Sequence, residues 1–213
     1  MNDRSTSQDL QSACDTIIAE TRRLMTGRTT PLLVAIDGGS GAGKTTLAAM
    51  VRETLDAVVI PFDDFYAAHI PDAEWDRRTP EERADAGLDW RRMRAEALEP
   101  LLTGKQARWR MFDFEAGPNP DGTYGICDFY MERDPADVII VDGAYSSRSE
   151  LSDLIDLTIL IDVPLPIRHA RLASREKNSA FLAAWHARWD KPEAYYFNQV
   201  RPKSSFDLVV SIG

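Results

Sequence analysis

Residues 32–36 read Leu-Leu-Val-Ala-Ile, and residues 38–45 read Gly-Gly-Ser-Gly-Ala-Gly-Lys-Thr. The apolar run predicts a buried strand. The octapeptide is G-x-x-x-x-G-K-[ST], the phosphate-binding loop pattern, in the context that gives it meaning: a strand before and a helix after. Gly38, Gly41 and Gly43 are expected to adopt positive φ and bring backbone N–H groups close to an anion. Gly39, Ser40 and Ala42 complete the loop and Thr46 follows it. A helix starting near Lys44 aims its unpaired N–H groups at the same phosphate. Lys44 is expected at the β and γ phosphates, and the Thr45 hydroxyl at a magnesium ion. Glycine-rich turns alone are common; the Gly-Lys-Thr ending is what separates this one from a plain turn.

The chain has 213 residues, enough for one α/β domain with a full core. Its formal net charge is −9, so a phosphate ligand must be held by a local positive field. The acidic balance argues against a general nucleic-acid binder. No apolar run approaches the ~20 residues of a membrane span, and the first thirty residues lack the apolar centre of a secretory signal. Cys14 and Cys127 stand in unlike contexts without metal-ligand spacing, so two free thiols in a cytoplasmic protein are expected.

Residues 1–6 are polar and expected to fray, with an amphipathic helix over 7–25. Residues 1–30 thus read as an N-terminal helix and 31–213 as a phosphate-loop domain. After the strand at 32–36, helix 44–55 leads to a short strand at 58–60. Residues 67–88 read as irregular with short helical pieces. A helix with Asp89 as N-cap runs to Leu102, and Pro100 is expected to kink or divide it. Runs 107–114 and 124–131 flank a turn-rich tip and predict a hairpin. Strand 138–141, helix 147–155, strand 157–163, helices over 165–200 interrupted at Pro192, and strand 206–212 complete the chain. The alternation predicts a doubly wound, mainly parallel sheet with flanking helices, a helical lid and a β-hairpin elaboration.

Such sheets place ligands at the carboxyl ends of their strands. Strand 58–60 is followed by Asp63-Asp64, and strand 138–141 by Asp142. Paired acids beside a phosphate loop are unfavourable unless they hold a metal or a proton. Either Asp63 or Asp64 is therefore a candidate base for a substrate hydroxyl, against a solvated turn as the plainer reading. Asp142 is a candidate magnesium ligand. Arg168, Arg171 and Arg175 fall on one side of a helix, and such a set can cover transferring phosphates. Tyr66, Trp109, Phe112, Phe114, Tyr124, Phe129 and Tyr130 offer faces for a planar or sugar substrate. His69, His169 and His186 share no metal-binding spacing and receive no role.

Taken together, these residues resemble the uridine kinase and phosphoribulokinase-like group of P-loop kinases. The resemblance spans roughly residues 31–213. It rests on Gly38 to Thr46, Asp63-Asp64-Phe65-Tyr66, Phe112-Asp113-Phe114, Val138 to Gly143, Arg171-Leu172 with Arg175, and Phe206 to Ile212. The resemblance implies Asp63 as the base, Tyr66 in the acceptor pocket, Phe112 to Phe114 near the acceptor, Asp142 at magnesium, and Arg171 and Arg175 in the lid. Three departures stand out. Phe112 lacks the hydroxyl of the family tyrosine, no histidine follows Phe114, and Asp89-Trp90-Arg91-Arg92 is unlike the acceptor region of uridine kinases. All three fall on the acceptor side and leave the ATP side untouched.

The expectation is an ATP- and Mg2+-dependent transfer of a phosphoryl group to a hydroxyl of a small nucleoside-like or sugar-like acceptor. Lys44, Asp63, Arg171 and Arg175 are the catalytic candidates. Asp63, Tyr66, Phe112, Phe114 and Arg168 are the substrate-side candidates, and Thr45 and Asp142 the metal candidates. Alternatives are a P-loop ATPase with water as acceptor, and a regulatory nucleotide-binding protein. The N-terminal helix is a candidate either for packing on the core or for mediating a homo-oligomer.

Overall fold

The computed structural model describes residues 3–212. In chain order the elements are α1 (Asp3–Met25), β1 (Leu32–Asp37), α2 (Lys44–Leu55), β2 (Val58–Pro61), α3 (Asp72–Trp75), α4 (Pro80–Ala86), α5 (Trp90–Met93), α6 (Glu99–Leu102), β3 (Ala107–Trp109), β4 (Met131–Arg133), β5 (Val138–Asp142), β6 (Leu157–Asp162), α7 (Leu165–Arg175), α8 (Ser179–Tyr195) and β7 (Leu208–Ser211). Five strands form a parallel sheet in the order β2-β5-β1-β6-β7. The expected doubly wound α/β fold is the fold observed.

The continuous apolar runs follow from burial of the sheet on both faces. In β1, Leu32, Val34 and Ile36 face one core and Leu33 the other; in β5, Val138 and Ile140 oppose Ile139 and Val141. The first core is closed by α1 through Ala13, Cys14, Ile17 and Ile18, and by α2 through Leu47, Ala48 and Val51. α1 therefore packs on the sheet. The second core gathers Phe62, Phe65, Met93, Leu98, Leu101, Trp109 and Tyr196.

Several local expectations are corrected. Residues 3–6, expected to fray, belong to α1; residues 1–2 lie outside the described residues. Asp89 does cap its helix, accepting from the Arg92 N–H. Before Pro100 the helix changes type: a π-turn at Arg94–Leu98 lies between α5 and α6, and Pro100 falls in the first turn of α6, where no helical donor is required of it. Pro192 sits inside α8. It cannot donate to the carbonyl of Arg188, which instead accepts from Arg83 Nη1 at 3.1 Å. The break in this region comes earlier, between α7 and α8, where Asn178 caps α8.

The hairpin forms, but its regular strands are shorter than the predicted runs, Ala107–Trp109 and Met131–Arg133. β3 pairs with β4 through Ala107↔Arg133, and a single bridge joins Phe112 to Ile126. No α-helix spans 147–155; a short 3-10 turn occupies Ser149–Leu151. The preceding residues are drawn inward, because the N–H groups of Tyr145 and Ser147 donate to Asp37.

Candidate functional site

The loop between β1 and α2 has the expected backbone. Gly38, Gly41 and Gly43 have φ of 148°, 81° and 97°. At Gly41 two demands coincide: a Cβ there would lie 2.6 Å from the carbonyl oxygen of Arg168. The lid helix α7 thus rests directly on the loop. Lys44 is buried, with Nζ donating to the Gly39 carbonyl at 3.2 Å.

Asp37, at the end of β1, is fully buried directly before the phosphate loop. Its Oδ1 accepts from the N–H groups of Gly38 (2.7 Å) and Tyr145 (2.9 Å). Its Oδ2 accepts from the Ser147 N–H (2.9 Å) and the Tyr196 hydroxyl (3.0 Å). Complete burial still pushes its pKa up to about 6, against the lowering by these donors and by Lys44. This carboxylate ties the phosphate loop to the strand-end loop after β5. The sequence reading missed it by ending the first strand at Ile36; the strand-end rule that selected Asp142 applies equally to Asp37.

The two acids after β2 go separate ways. Asp64 is buried, and its Oδ2 accepts from Trp109 Nε1 at 2.8 Å. Its carbonyl accepts from the Phe112 N–H at 2.8 Å and Arg92 Nη2 at 3.1 Å. It anchors the hairpin to the core. Asp63 lines a cavity with Lys44, Thr45 and Asp142. Its side chain is exposed to solvent through that cavity. Desolvation raises its pKa to about 6, with Lys44 pulling down and Asp142, Asp64 and Glu193 pushing up. Of the two acids, Asp63 is the one at the cavity.

Asp142 is buried, and its Oδ1 has no hydrogen-bond partner among the described residues. Burial raises its pKa, while Lys44 and the Thr45 hydroxyl lower it. An orphaned carboxylate oxygen beside a threonine hydroxyl, at a strand end facing a phosphate loop, is a hard oxygen donor set. It fits Mg2+, which takes few protein ligands and keeps its waters.

The lid places its arginines otherwise than expected. Arg168 does not line the cavity: Nη1 donates to the Ser40 carbonyl (2.9 Å) and to Glu193 Oε2 (2.8 Å). Arg171 Nη1 donates to the Ala42 carbonyl at 3.1 Å. Both are latched to the outside of the loop, and of the three only Arg175 borders the cavity. The other half of the latch is Glu193, a buried carboxylate on α8 that accepts from the Ser40 N–H at 2.9 Å and the Ser40 hydroxyl at 2.5 Å. Nothing in the sequence marks Glu193, since its partner lies 153 residues away.

The cavity measures about 760 Å³. Ser40, Gly41, Gly43, Lys44, Thr45 and Thr46 form one end, and Tyr66, Phe112, Phe114 and Tyr124 line another wall. Tyr66 and Phe112 meet edge-to-face at 4.9 Å, and Phe112 meets Phe114 at the same distance. A polar group joins the wall, where Asp72 accepts from Arg188 Nη1 (2.6 Å) and from the Tyr124 hydroxyl (3.1 Å). Of the other aromatic candidates, Trp109 is core and Phe129 and Tyr130 are exposed on the hairpin. Gly38, Gly39 and Ala42 shape the loop without bordering the cavity. No helix among the described residues is long and apolar enough to cross a membrane.

Four similarities bear on this arrangement. The family model described as Zeta toxin matches residues 15–106, less than half of the chain. The uridine kinase of Halobacterium salinarum is 28% identical over 152 residues, covering 67% of this chain; the chain spans 61% of that relative's length. The uridine kinase of Streptococcus uberis is 27% identical, covering 70% of this chain and 69% of the relative. Among solved structures, a possible uridine kinase from Bacillus stearothermophilus superposes with a TM-score of 0.67 at 20% identity, over 95% of this chain and 97% of that one. This last likeness shows the fold. The two sequence relatives, at 28% and 27% identity, uphold the resemblance to the uridine kinase-like group of P-loop kinases.

Proposed function

We propose, taking that resemblance to uridine kinase-like P-loop kinases as premise, that the chain is an ATP- and Mg2+-dependent small-molecule kinase acting on a nucleoside-like or sugar-like hydroxyl. The observation that carries the reading is the position of Asp63. It is a carboxylate with a pKa raised to about 6, in one cavity with Lys44, Thr45 and the aromatic side chains Tyr66, Phe112 and Phe114. A base needs a pKa near the working pH and a place between phosphate and acceptor.

In this reading Asp63 accepts the hydroxyl proton of the acceptor as its oxygen bonds to the γ-phosphorus; the bond to the β-phosphate bridging oxygen breaks and ADP leaves. Lys44 and the loop amides hold the β and γ phosphates, and Arg171 and Arg175 neutralise the transferring group once the lid engages it. Thr45 and Asp142 would hold Mg2+, which offsets phosphate charge. Tyr66, Phe112 and Phe114 stack or pack on the acceptor, and Asp72 and Arg188 are at hand for its polar groups. The observed latching of Arg171 to the loop means that the lid must rearrange when ATP arrives.

Thermal-shift screening against nucleosides and sugars, with a non-hydrolysable ATP analogue, tests this. An acceptor raises the melting temperature by mass action, and mass spectrometry of a turnover mixture then shows it carrying one added phosphoryl group. ATP hydrolysis at the same rate with and without every acceptor would favour a P-loop ATPase instead.

A further inference from the structure

The fold brings together three side chains that sequence spacing leaves apart. His169 lies on α7; His186 and Asp190 lie one turn apart on α8. His169 Nε2 is 3.1 Å from Asp190 Oδ2, and His186 Nδ1 is 3.4 Å from Asp190 Oδ1. The two imidazole rings lie with centroids 3.8 Å apart, their planes tilted by 36°. One donor atom from each residue lies within 4.8 Å of the others. The expectation that the histidines have no metal-binding relation holds along the chain and fails in space.

We infer that His169, His186 and Asp190 form a transition-metal site, with Zn2+ as the cation whose chemistry it fits. Two imidazoles and one carboxylate are a zinc donor set, and a fourth position on this half-buried surface is open to water. Tetrahedral coordination at zinc bond lengths sets donor atoms roughly 3.4 Å apart, so the three close on a metal by side-chain rotation alone. Among the described residues no lysine or arginine is bonded to Asp190, whose side-chain partners are the two imidazoles. The nitrogen-rich set discriminates against Mg2+, which separates this site from the oxygen donors Thr45 and Asp142.

Its position gives it a consequence. His169 adjoins Arg168, and Asp190 lies one turn before Glu193, so a metal here ties α7 to α8 where both helices clasp the phosphate loop. The site is independent of the phosphoryl-transfer reading.

Untagged, chelator-treated full-length protein titrated with Zn2+ alone is expected to bind one equivalent, and Co2+ is expected to give the visible bands of a tetrahedral site. At a hundredfold excess of Zn2+ over Kd, the melting temperature should rise by roughly 5–10 °C. Asp190→Asn and His186→Gln, each near-isosteric, should keep the metal-free melting temperature within a few degrees and lose the Co2+ bands and the Zn2+ shift. Absence of stoichiometric binding to the wild-type chain, or Co2+ spectra unchanged in both variants, would overturn the assignment and leave a hydrogen-bonded His-Asp-His cluster.

Discussion

Glu193 Oε1 accepts two hydrogen bonds from Ser40, one from the main-chain N–H at 2.9 Å and one from the hydroxyl at 2.5 Å. The Ser40 N–H is among the groups a phosphate loop offers to its anion. The lid carboxylate and a nucleotide phosphate therefore compete for the same donor. Arg168 neutralises Glu193 in this arrangement, at 2.8 Å.

From this competition, Glu193→Gln is expected to tighten ATP and ADP binding, by roughly tenfold, because a negative charge beside the phosphates is removed. It should also lower the melting temperature, since Arg168 loses its charged partner; breaking such a buried pair outright costs about 3–5 kcal/mol. Calorimetric titration with ADP and a thermal melt check both. Weaker ADP binding with an unchanged melt would instead make Glu193 part of the nucleotide site.

Asp63 and Asp64 are neighbours with opposite duties. Asp64→Ala strands the buried Trp109 Nε1 without its acceptor and should destabilise the fold by about 1–3 kcal/mol. Asp63→Ala removes no hydrogen bond and should leave the melt nearly unchanged while removing turnover. Paired melting curves and rates for the two variants separate anchor from base.

The pH behaviour follows from the raised acids. Asp63 must be ionised to accept a proton, so kcat/KM should climb as pH rises through about 6. Stability runs the other way. Asp37 and Asp63 hold protons in the folded chain up to about pH 6, well above their unfolded range. The stabilisation they give is complete below about pH 4 and is lost as pH rises through 6. Asp63→Asn should therefore be slightly more stable than wild type at pH 8, by up to ~1 kcal/mol once solvent screening of this exposed side chain is allowed for. Denaturant melts at pH 5 and 8 measure it.

Asp142 Oδ1 is a buried carboxylate oxygen without a hydrogen-bond partner among the described residues. Asp142→Asn should raise the Mg2+ concentration needed for half-maximal turnover by roughly 10–100-fold, with smaller change in acceptor KM. Turnover with Mg2+ chelated should vanish in both proteins. A Mg2+ titration reads this directly, and identical curves would remove Asp142 from the metal site.

What the sequence made legible follows physical range. The sheet, α2 and the loop were readable because Leu32 to Thr45 carries its own pattern in fourteen consecutive residues. Asp63 and Asp142 were readable because strand ends in a parallel sheet converge. Which of Asp63 and Asp64 faces the cavity was not: the choice depends on Trp109, 45 positions away in the chain, offering an indole N–H. Glu193 and the His169–His186–Asp190 cluster were invisible for the same reason, since both depend on how α7 and α8 lie on the loop. Pro100 misled because the helix changes type before it, and Pro192 because a distant arginine bonds the carbonyl it leaves free.

The most direct test of phosphoryl transfer based on Asp63 is one comparison on Asp63→Asn: ATP affinity by calorimetry beside the rate of phosphoryl transfer to the acceptor. Affinity within about threefold of wild type, with the rate down by roughly 10²–10⁴, is the predicted result. Transfer at the wild-type rate, or affinity and rate falling together, would contradict it.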